Sequence, residues 1–309
     1  MWSNVVAAGT LAVVAAGDLS SASNSSTLNT ADFGLPAGAG SLDLPLLPLA
    51  LMLLSMSCFY IGGMFLNDAF DAAIDAAERP ERPIPSGQVG LSAVYVAGFG
   101  LLLLGVALTA WVASMVGHPV VPAVVSAILL GAAIVAYNVH HKQNPFSPVI
   151  MGLCRVLVYT TTALVLGGSL ALVLLLAALV LWLYLIGLTA IAKQENLAQV
   201  RNLWPLLLLL SPVLLWLSLW GVTDAANLTG SLTGLLFLVA MLLTAWVGYA
   251  LMLLRRRQQG GIPRAVVTMI AGISLVDALA IAAISLPLTL LCLLAFIATL
   301  ALQRFVSGT

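Results

Sequence analysis

Long apolar runs dominate this chain and restrict what it can fold into. A helix needs roughly 20 apolar residues to cross a hydrocarbon core about 30 Å thick. Ten runs approach that length, at 4–17, 45–66, 91–115, 120–138, 149–167, 169–190, 204–220, 231–254, 263–283 and 286–303. Because 62% of the 309 residues are hydrophobic and only 7% are charged, the sequence predicts an all-α, polytopic transmembrane helical bundle with nine or ten spans.

The basic residues lie almost entirely in alternate connections between these runs, and this predicts the orientation of the chain. With a cytoplasmic N-terminus, the inner connections contain Arg79, Arg82, Lys142, Lys193, Arg201, Arg255, Arg256, Arg257 and Arg264. The opposite connections, around 18–44, 116–119, 167–169 and 221–230, contain no Lys or Arg. We therefore expect an integral multi-pass protein, placed in the inner or plasma membrane if it is bacterial.

Charge balance and cysteine usage exclude several other classes of protein. Eleven Lys and Arg residues balance eleven Asp and Glu residues, so no basic field is available to bind nucleic acid. Cys58, Cys154 and Cys292 each lie in an apolar run without zinc-binding spacing, and we expect them to be buried packing residues. The segment 18–44 is rich in Ser, Asn, Gly and Ala, which predicts a flexible outer loop within a single domain spanning 1–309.

Acidic residues concentrate at the inner end of the second run, in FLNDAFDAAIDAAERPERPIPSGQ. At 100° per residue, Asp68, Asp71 and Asp75 project within about 80° of one another on a helix. Carboxylates within a membrane each cost about 2.5–3.5 kcal/mol, and neighbouring like charges repel. A bound cation would compensate for both effects. Oxygen ligands alone, with the amide oxygen of Asn67 beside them, suit Mg²⁺ whose coordination is completed by substrate phosphates.

The same stretch also allows a simpler interpretation. Juxtamembrane charges commonly solvate a loop, and Glu78 and Glu81, which alternate with arginines, fit that description better than the aspartates do. For Arg79 and Arg82, phosphate binding and ordinary positive-inside topology both remain open.

The residues from Asn67 to Asp75 resemble the NDxxDxxxD motif of the UbiA-type membrane prenyltransferases, and RPERPIPSG, from Arg79 to Gly87, resembles the sequence that follows it in that family. The later segments YNVHHKQNPFSPVIMGLCR and LTAIAKQEN are similar to its EboC-like branch. The resemblance implies a UbiA-like helical bundle around a central cavity. It also implies that Mg²⁺ ions, held by Asn67 and the three aspartates, bind a prenyl diphosphate at the cytoplasmic mouth.

The resemblance also points to a second group of residues, between the fourth and fifth runs. It implies that Lys142 and Arg155 bind the diphosphate, Arg155 through its planar fork. An arginine within an apolar helix also needs a partner in its own right. Two interpretations of Tyr137 remain open, namely a substrate-cavity residue and a member of the aromatic belt at the membrane interface.

A third group follows the sixth run, in LTAIAKQENLAQVRN. Many family members carry a second DxxxD motif here, whereas this chain has Glu195 in the probable place of the first Asp and Gln199 in that of the second. Glu195 could still hold a second ion with help from Gln199 and phosphate oxygens. Alternatively, Lys193 could supply part of the charge neutralisation, or the site could be degenerate and non-catalytic.

Asp277 is the one carboxylate expected near the middle of a span. A role near the acceptor and a purely structural hydrogen bond are equally compatible with its position.

The function implied by the resemblance is Mg²⁺-assisted ionisation of an allylic prenyl diphosphate and transfer of its prenyl group to a hydrophobic, often aromatic, acceptor within the lipid bilayer. Asp68, Asp71, Asp75 and Glu195 would be its catalytic residues, on the cytoplasmic side. The alternatives are a non-catalytic isoprenoid-binding member of the same fold and a secondary transporter. A transporter would usually place its site near the bilayer midplane rather than at a basic inner rim.

Overall fold

A computed structural model describes residues 1–22, 45–140, 144–193, 204–213, 217, 230–255 and 261–303. Ten helices lie within these residues, and no strand occurs among them. The helices are α1 (Trp2–Ala22), α2 (Leu46–Glu78), α3 (Leu91–Val116), α4 (Val120–His140), α5 (Ser147–Leu166), α6 (Leu172–Ala192), α7 (Trp204–Leu208), α8 (Gly230–Arg255), α9 (Gly261–Ile281) and α10 (Leu286–Leu302).

Seven of these helices, α2 to α6 with α8 and α9, are long and apolar enough to cross a membrane. The prediction of an all-helical, multi-pass membrane protein is confirmed. The predicted run 204–220 differs, because α7 ends at Leu208. Pro212 has no amide hydrogen to donate to the Leu208 carbonyl, and residues 209–210 form a turn before helical residues resume at 211–213. Beyond Val213, only residue 217 of that run is described.

The first helix is longer than its predicted run of 4–17, because α1 continues to Ala22. No glycine or proline follows Gly17 before Gly34, so nothing in the local sequence stops the helix at its predicted end. The predicted loop 18–44 is therefore wrong over residues 18–22. Its remaining residues, 23–44, lie outside the described part of the chain.

Buried apolar side chains form two clusters, with α1 and α5 between them. One cluster joins these two helices to α2, α3 and α4, and the other joins them to α6, α8, α9 and α10. Neighbouring residues of α5 face opposite clusters, since Val158 belongs to the first and Tyr159 to the second. The helix α9 is the most buried of the seven candidate spans, which places Asp277 in the interior.

Two glycines allow α2 and α3 to pack closely. A Cβ atom on Gly62 would lie 2.8 Å from the carbonyl oxygen of Gly98, which is shorter than van der Waals contact. Small residues commonly bring helix backbones together in this way within membranes. The contact fixes the middle of α2, and with it the direction in which the acidic end of that helix projects.

The described structure also contains an apolar cavity of about 380 Å³ between residues 209–213, α8 and α9. None of the predicted site residues lines it. The three cysteines are free thiols, and Cys58 and Cys292 are buried. The prediction that the cysteines serve packing is confirmed for these two, while Cys154 is half-buried.

Candidate active site

The acidic residues lie on the last third of α2. This helix has 33 residues and is about 50 Å long at 1.5 Å per residue, so it is longer than a hydrocarbon core of about 30 Å is thick. Asp71 and Asp75 are buried, at 9% and 6% exposure, whereas the Asp68 side chain is 58% exposed. Two carboxylates therefore point into the bundle and the third lies at its rim.

The loop after α2 folds back and brings an arginine to these acids. Pro80 disfavours a helical conformation at the preceding Arg79, where α2 ends. The Arg82 Nη1 donates to Asp75 Oδ2 at 2.8 Å and lies 3.7 Å from Asp68 Oδ1. This hydrogen bond to Asp75 raises the pKa of the Arg82 guanidinium above its ordinary value. Of the two interpretations of Arg82, the structure therefore shows a contact with the acids that topology alone would not require.

Backbone turns hold the loop in this shape. The Arg82 amide donates to the Arg79 carbonyl at 3.1 Å, and the Ser86 amide donates to the Arg82 carbonyl at 2.9 Å. Gly87 follows with a φ of +77°, a left-handed conformation that glycine adopts readily. The side chain of Arg79 is exposed, so the two arginines of this loop have different surroundings.

The end of α4 is tied to α2 beside the acids. Asn67 Nδ2 donates to Asn138 Oδ1 at 3.4 Å, and Asn138 Nδ2 donates to the Gly63 carbonyl at 3.0 Å. Tyr137, the neighbour of Asn138, is half-buried and interacts electrostatically with Asp71. The structure thus brings Asn67 and Tyr137 to the same end of the bundle as the aspartates.

Of the third group of predicted site residues, the structure describes Lys193, which contacts the segment just before α5. This residue follows the last turn of α6, and its Nζ donates to the Asn144 carbonyl. Lys142, Glu195 and Gln199 lie outside the described residues. Their assignment to diphosphate and second-metal binding stays a prediction.

Arg155 lies in a different environment from the aspartates of α2. Its Nη1 donates to Asn4 Oδ1 at 2.8 Å, and the groups whose charge acts on it include Asp277 and Tyr60 but none of those three aspartates. Asp277 is fully buried and accepts hydrogen bonds from Asn4 and Tyr159. The structure shows the hydrogen bonds expected for Asp277, and a role near the acceptor stays a prediction.

Sequence reasoning did not select Asn4 and Tyr159 as site residues. Each of them is a polar side chain within an apolar run. Such a side chain is costly in a membrane without a hydrogen-bond partner, so its presence could have indicated a buried polar contact. Asn4 and Asp277 are separated by 273 positions, so only the fold reveals that they are partners.

Across the described residues, no three His, Cys, Asp or Glu side chains are grouped so that they could hold a metal ion by themselves. Asp68 points to the rim, and Arg82 lies against both Asp68 and Asp75. The oxygen-only donor set nevertheless suits Mg²⁺, which typically uses one or two carboxylates together with substrate phosphates. The arrangement fits a site that is completed by a phosphorylated ligand.

Comparison with known proteins identifies the family. A sequence model of the UbiA prenyltransferase family matches residues 32–270. The chain belongs to this family. Its members are transferases that act on prenyl groups, and the predicted resemblance is confirmed at that level. Membership argues against the secondary-transporter alternative, while the EboC-like branch and the cytoplasmic placement of the site stay predictions.

Similar proteins are named digeranylgeranylglyceryl phosphate synthase. The one from Methanoregula boonei is 42% identical over 84 residues, which cover 27% of this chain and 28% of that protein. The one from Methanoculleus marisnigri is 27% identical over 142 residues, or 46% of each protein. The chain thus spans less than half the length of these curated relatives in each match.

A solved structure reported for digeranylgeranylglyceryl phosphate synthase in membranes shares the fold. It superposes with a TM-score of 0.57 and 18% sequence identity, covering 79% of this chain and 88% of that one. At this identity the likeness shows the fold alone, and it confirms the UbiA-like helical architecture.

Proposed function

We propose that this protein transfers a prenyl group, in the membrane, from an allylic prenyl diphosphate to an acceptor with a polar, phosphate-bearing head. The name of its relatives describes a product in which a glyceryl phosphate carries two geranylgeranyl chains. This favours a glyceryl phosphate acceptor over the aromatic acceptor expected from the sequence. In the reaction, the allylic carbon–oxygen bond breaks, diphosphate leaves with the electron pair, and an acceptor hydroxyl forms the new bond and loses its proton.

The observation that carries the proposal is the position of Arg82 between Asp68 and Asp75. A guanidinium has five N–H donors in a planar fork that matches phosphate oxygens, and this one lies at one end of the helical bundle, against the NDxxDxxxD motif. We expect the arriving diphosphate to draw Arg82 away from one or both carboxylates. The carboxylate oxygens released by that movement would then be available to a cation.

Asp68, Asp71 and Asp75 would hold Mg²⁺, with Asn67 as an additional oxygen ligand. Mg²⁺ at these residues would neutralise the charge that develops on the departing diphosphate. The hydrogen bond between Asn67 and Asn138 would orient the Asn67 amide toward the acids. The apolar helices around the site would exclude the water that could otherwise capture the reactive prenyl group.

Purified protein in liposomes provides the direct test of the acceptor. It is supplied with geranylgeranyl diphosphate, Mg²⁺ and either a geranylgeranyl-substituted glyceryl phosphate or a prenyl-accepting phenolic acid, and product is measured by mass spectrometry. We expect product from the glyceryl phosphate only. Product from the phenolic acid alone would overturn the acceptor assignment but leave prenyl transfer intact.

A non-catalytic member of the fold would give a different result. It would bind the diphosphate without forming product with either acceptor and without releasing pyrophosphate. That result would overturn the proposed activity, provided that the same preparation is shown to be folded by its thermal unfolding transition.

A further inference from the structure

Three buried polar side chains meet in the interior of the bundle. Asn4 of α1 and Asp277 of α9 have no exposed surface, and Tyr159 of α5 is 1% exposed. Asn4 Nδ2 donates to both carboxylate oxygens of Asp277 at 2.9 Å, and the Tyr159 hydroxyl donates to Asp277 Oδ1 at 2.6 Å. These three hydrogen bonds help to compensate the carboxylate for its removal from water.

Only one orientation of the Asn4 amide suits this carboxylate. The reversed amide would place its carbonyl oxygen, which can only accept, against two further acceptors. The carbonyl oxygen must therefore point away from Asp277, and there it accepts the hydrogen bond from Arg155 Nη1 at 2.8 Å. Asp277, itself held by Tyr159, in this way fixes the point at which Arg155 is anchored.

The amide separates two opposite charges that could otherwise pair directly. No ion pair joins Arg155 to Asp277 in the described part of the chain. A bidentate pair would occupy two donors of the guanidinium fork, whereas the contact with Asn4 occupies one. Among the described residues it is the only hydrogen bond of the Arg155 side chain. Arg155 is half-buried, whereas Asn4, Tyr159 and Asp277 have at most 1% of their surface exposed.

We infer that Asn4, Asp277 and Tyr159 are positioning residues that hold the Arg155 guanidinium with its remaining donors available to a phosphate group of a substrate. A cation with spare donors inside an apolar bundle favours an anionic ligand, and the fork suits phosphate oxygens. The inference rests on the proposed function, in which donor and acceptor both carry phosphate. The family match covers residues 32–270, so it includes neither Asn4 nor Asp277.

The test uses variants that separate positioning from folding. Arg155→Gln removes the proposed ligand. Asn4→Leu removes the anchor but also deprives Asp277 of two of its hydrogen bonds, so it can fail to fold. The double variant Asn4→Leu/Asp277→Leu removes the carboxylate as well, so no buried acceptor is left without its donors. Tyr159 and Arg155 lose their partners, and the thermal unfolding transition shows that the variant is folded. Ser126→Ala, which breaks a buried hydrogen bond to Thr161 elsewhere in the bundle, is the matched control.

Binding is measured by calorimetry in nanodiscs with two probes, inorganic pyrophosphate and glycerol phosphate, and thermal unfolding is recorded in parallel. We expect Arg155→Gln and the double variant to weaken binding of the same probe by about tenfold or more, and Ser126→Ala to leave both Kd values unchanged. Weaker binding of pyrophosphate alone would assign Arg155 to the prenyl diphosphate substrate, and weaker binding of glycerol phosphate alone would assign it to the acceptor substrate. Weaker binding of both probes would assign Arg155 to a shared site. Adding Arg155→Gln to the double variant should cause no further weakening, because the anchor acts through Arg155.

Unchanged Kd values for both probes in the double variant, with a lower unfolding temperature, would show a purely structural group and overturn the inference. Further weakening by the anchor substitutions in the Arg155→Gln background, or a wild-type protein that binds neither probe, would also overturn it. Because binding requires no turnover, a wild-type protein that binds a probe through Arg155 but forms no prenylated product would refute the proposed function alone.

Discussion

The Arg82 guanidinium lies 2.8 Å from the Asp75 carboxylate and 3.7 Å from that of Asp68. The Asp75 side chain is 8% exposed and the Asp68 side chain 58%, so Arg82 joins a buried acid to one at the rim. Arg82 therefore neutralises carboxylates that would also hold a cation. In the proposed site, metal and arginine would compete for the same oxygens, while both would attract the diphosphate.

We expect Arg82→Gln to change the two affinities in opposite directions. Without the competing guanidinium, less Mg²⁺ should be needed for half-maximal activity. Without its donors, the KM for the prenyl diphosphate should rise by about tenfold or more. Steady-state transfer assays that vary Mg²⁺ and diphosphate separately measure both effects.

The exposed acid Glu81 of the same loop offers a matched control for that experiment. Glu81→Gln changes the net charge of the loop by the same amount in the opposite direction, and we expect both constants to stay close to wild type. An Arg82→Gln protein that needs more Mg²⁺ would contradict the competition between arginine and metal.

The pH dependence of Arg82→Lys follows from the direction of the pKa shift. The hydrogen bond to Asp75 raises the pKa of Arg82, so the ion pair is fully present below the ordinary arginine pKa and is lost only as the pH rises through the raised value. A lysine, with an ordinary pKa of about 10.4, should lose its charge as the pH rises through about 10. We therefore expect the alkaline loss of transfer to begin at lower pH in Arg82→Lys than in wild type. Identical alkaline limbs in the two pH profiles would show that this charge is not required.

The bridge between α2 and α4 should contribute to stability and to metal use. Asn138→Leu removes the hydrogen bonds to Asn67 and to the Gly63 carbonyl. We expect a destabilisation of about 1–3 kcal/mol and a higher Mg²⁺ requirement, because the Asn67 amide loses its orientation. Ser114→Ala, which removes an exposed hydrogen bond to the Trp111 carbonyl, should change neither quantity. If the Asn138→Leu protein is destabilised but its Mg²⁺ dependence is normal, the role of Asn138 is structural only.

Glycines of α2 and α3 allow a test of the packing that directs the acidic end. Gly62→Ala would place a Cβ 2.8 Å from the backbone oxygen of Gly98, and we expect it to destabilise the fold by about 1–3 kcal/mol. Gly100→Ala, also in a helix but with no neighbour within 4 Å of the added atom, should be neutral or stabilising by up to about 1 kcal/mol. Thermal unfolding in detergent compares the two, and equal stabilities would contradict the close helix approach.

Much of the fold could be predicted because membrane burial requires long apolar helices. The spacing of the three aspartates placed them at one end of α2, since helical periodicity is a local property, but it did not separate the buried Asp71 and Asp75 from the exposed Asp68. That the three form a metal site stays a prediction. The back-folding of Arg82 was not predictable, because it depends on turns within 79–87. Nor was the link from Asn4 to Asp277, which joins the first helix to the ninth across the whole chain.

The most direct test of the central claim compares pyrophosphate release by wild type, Asp71→Asn, Asp75→Asn and Glu81→Gln with geranylgeranyl diphosphate and acceptor present. The account predicts EDTA-sensitive release by wild type and Glu81→Gln, and a loss of about 10²-fold or more in each aspartate variant with the unfolding transition retained. Release that persists at the wild-type rate in folded Asp71→Asn and Asp75→Asn proteins would contradict it.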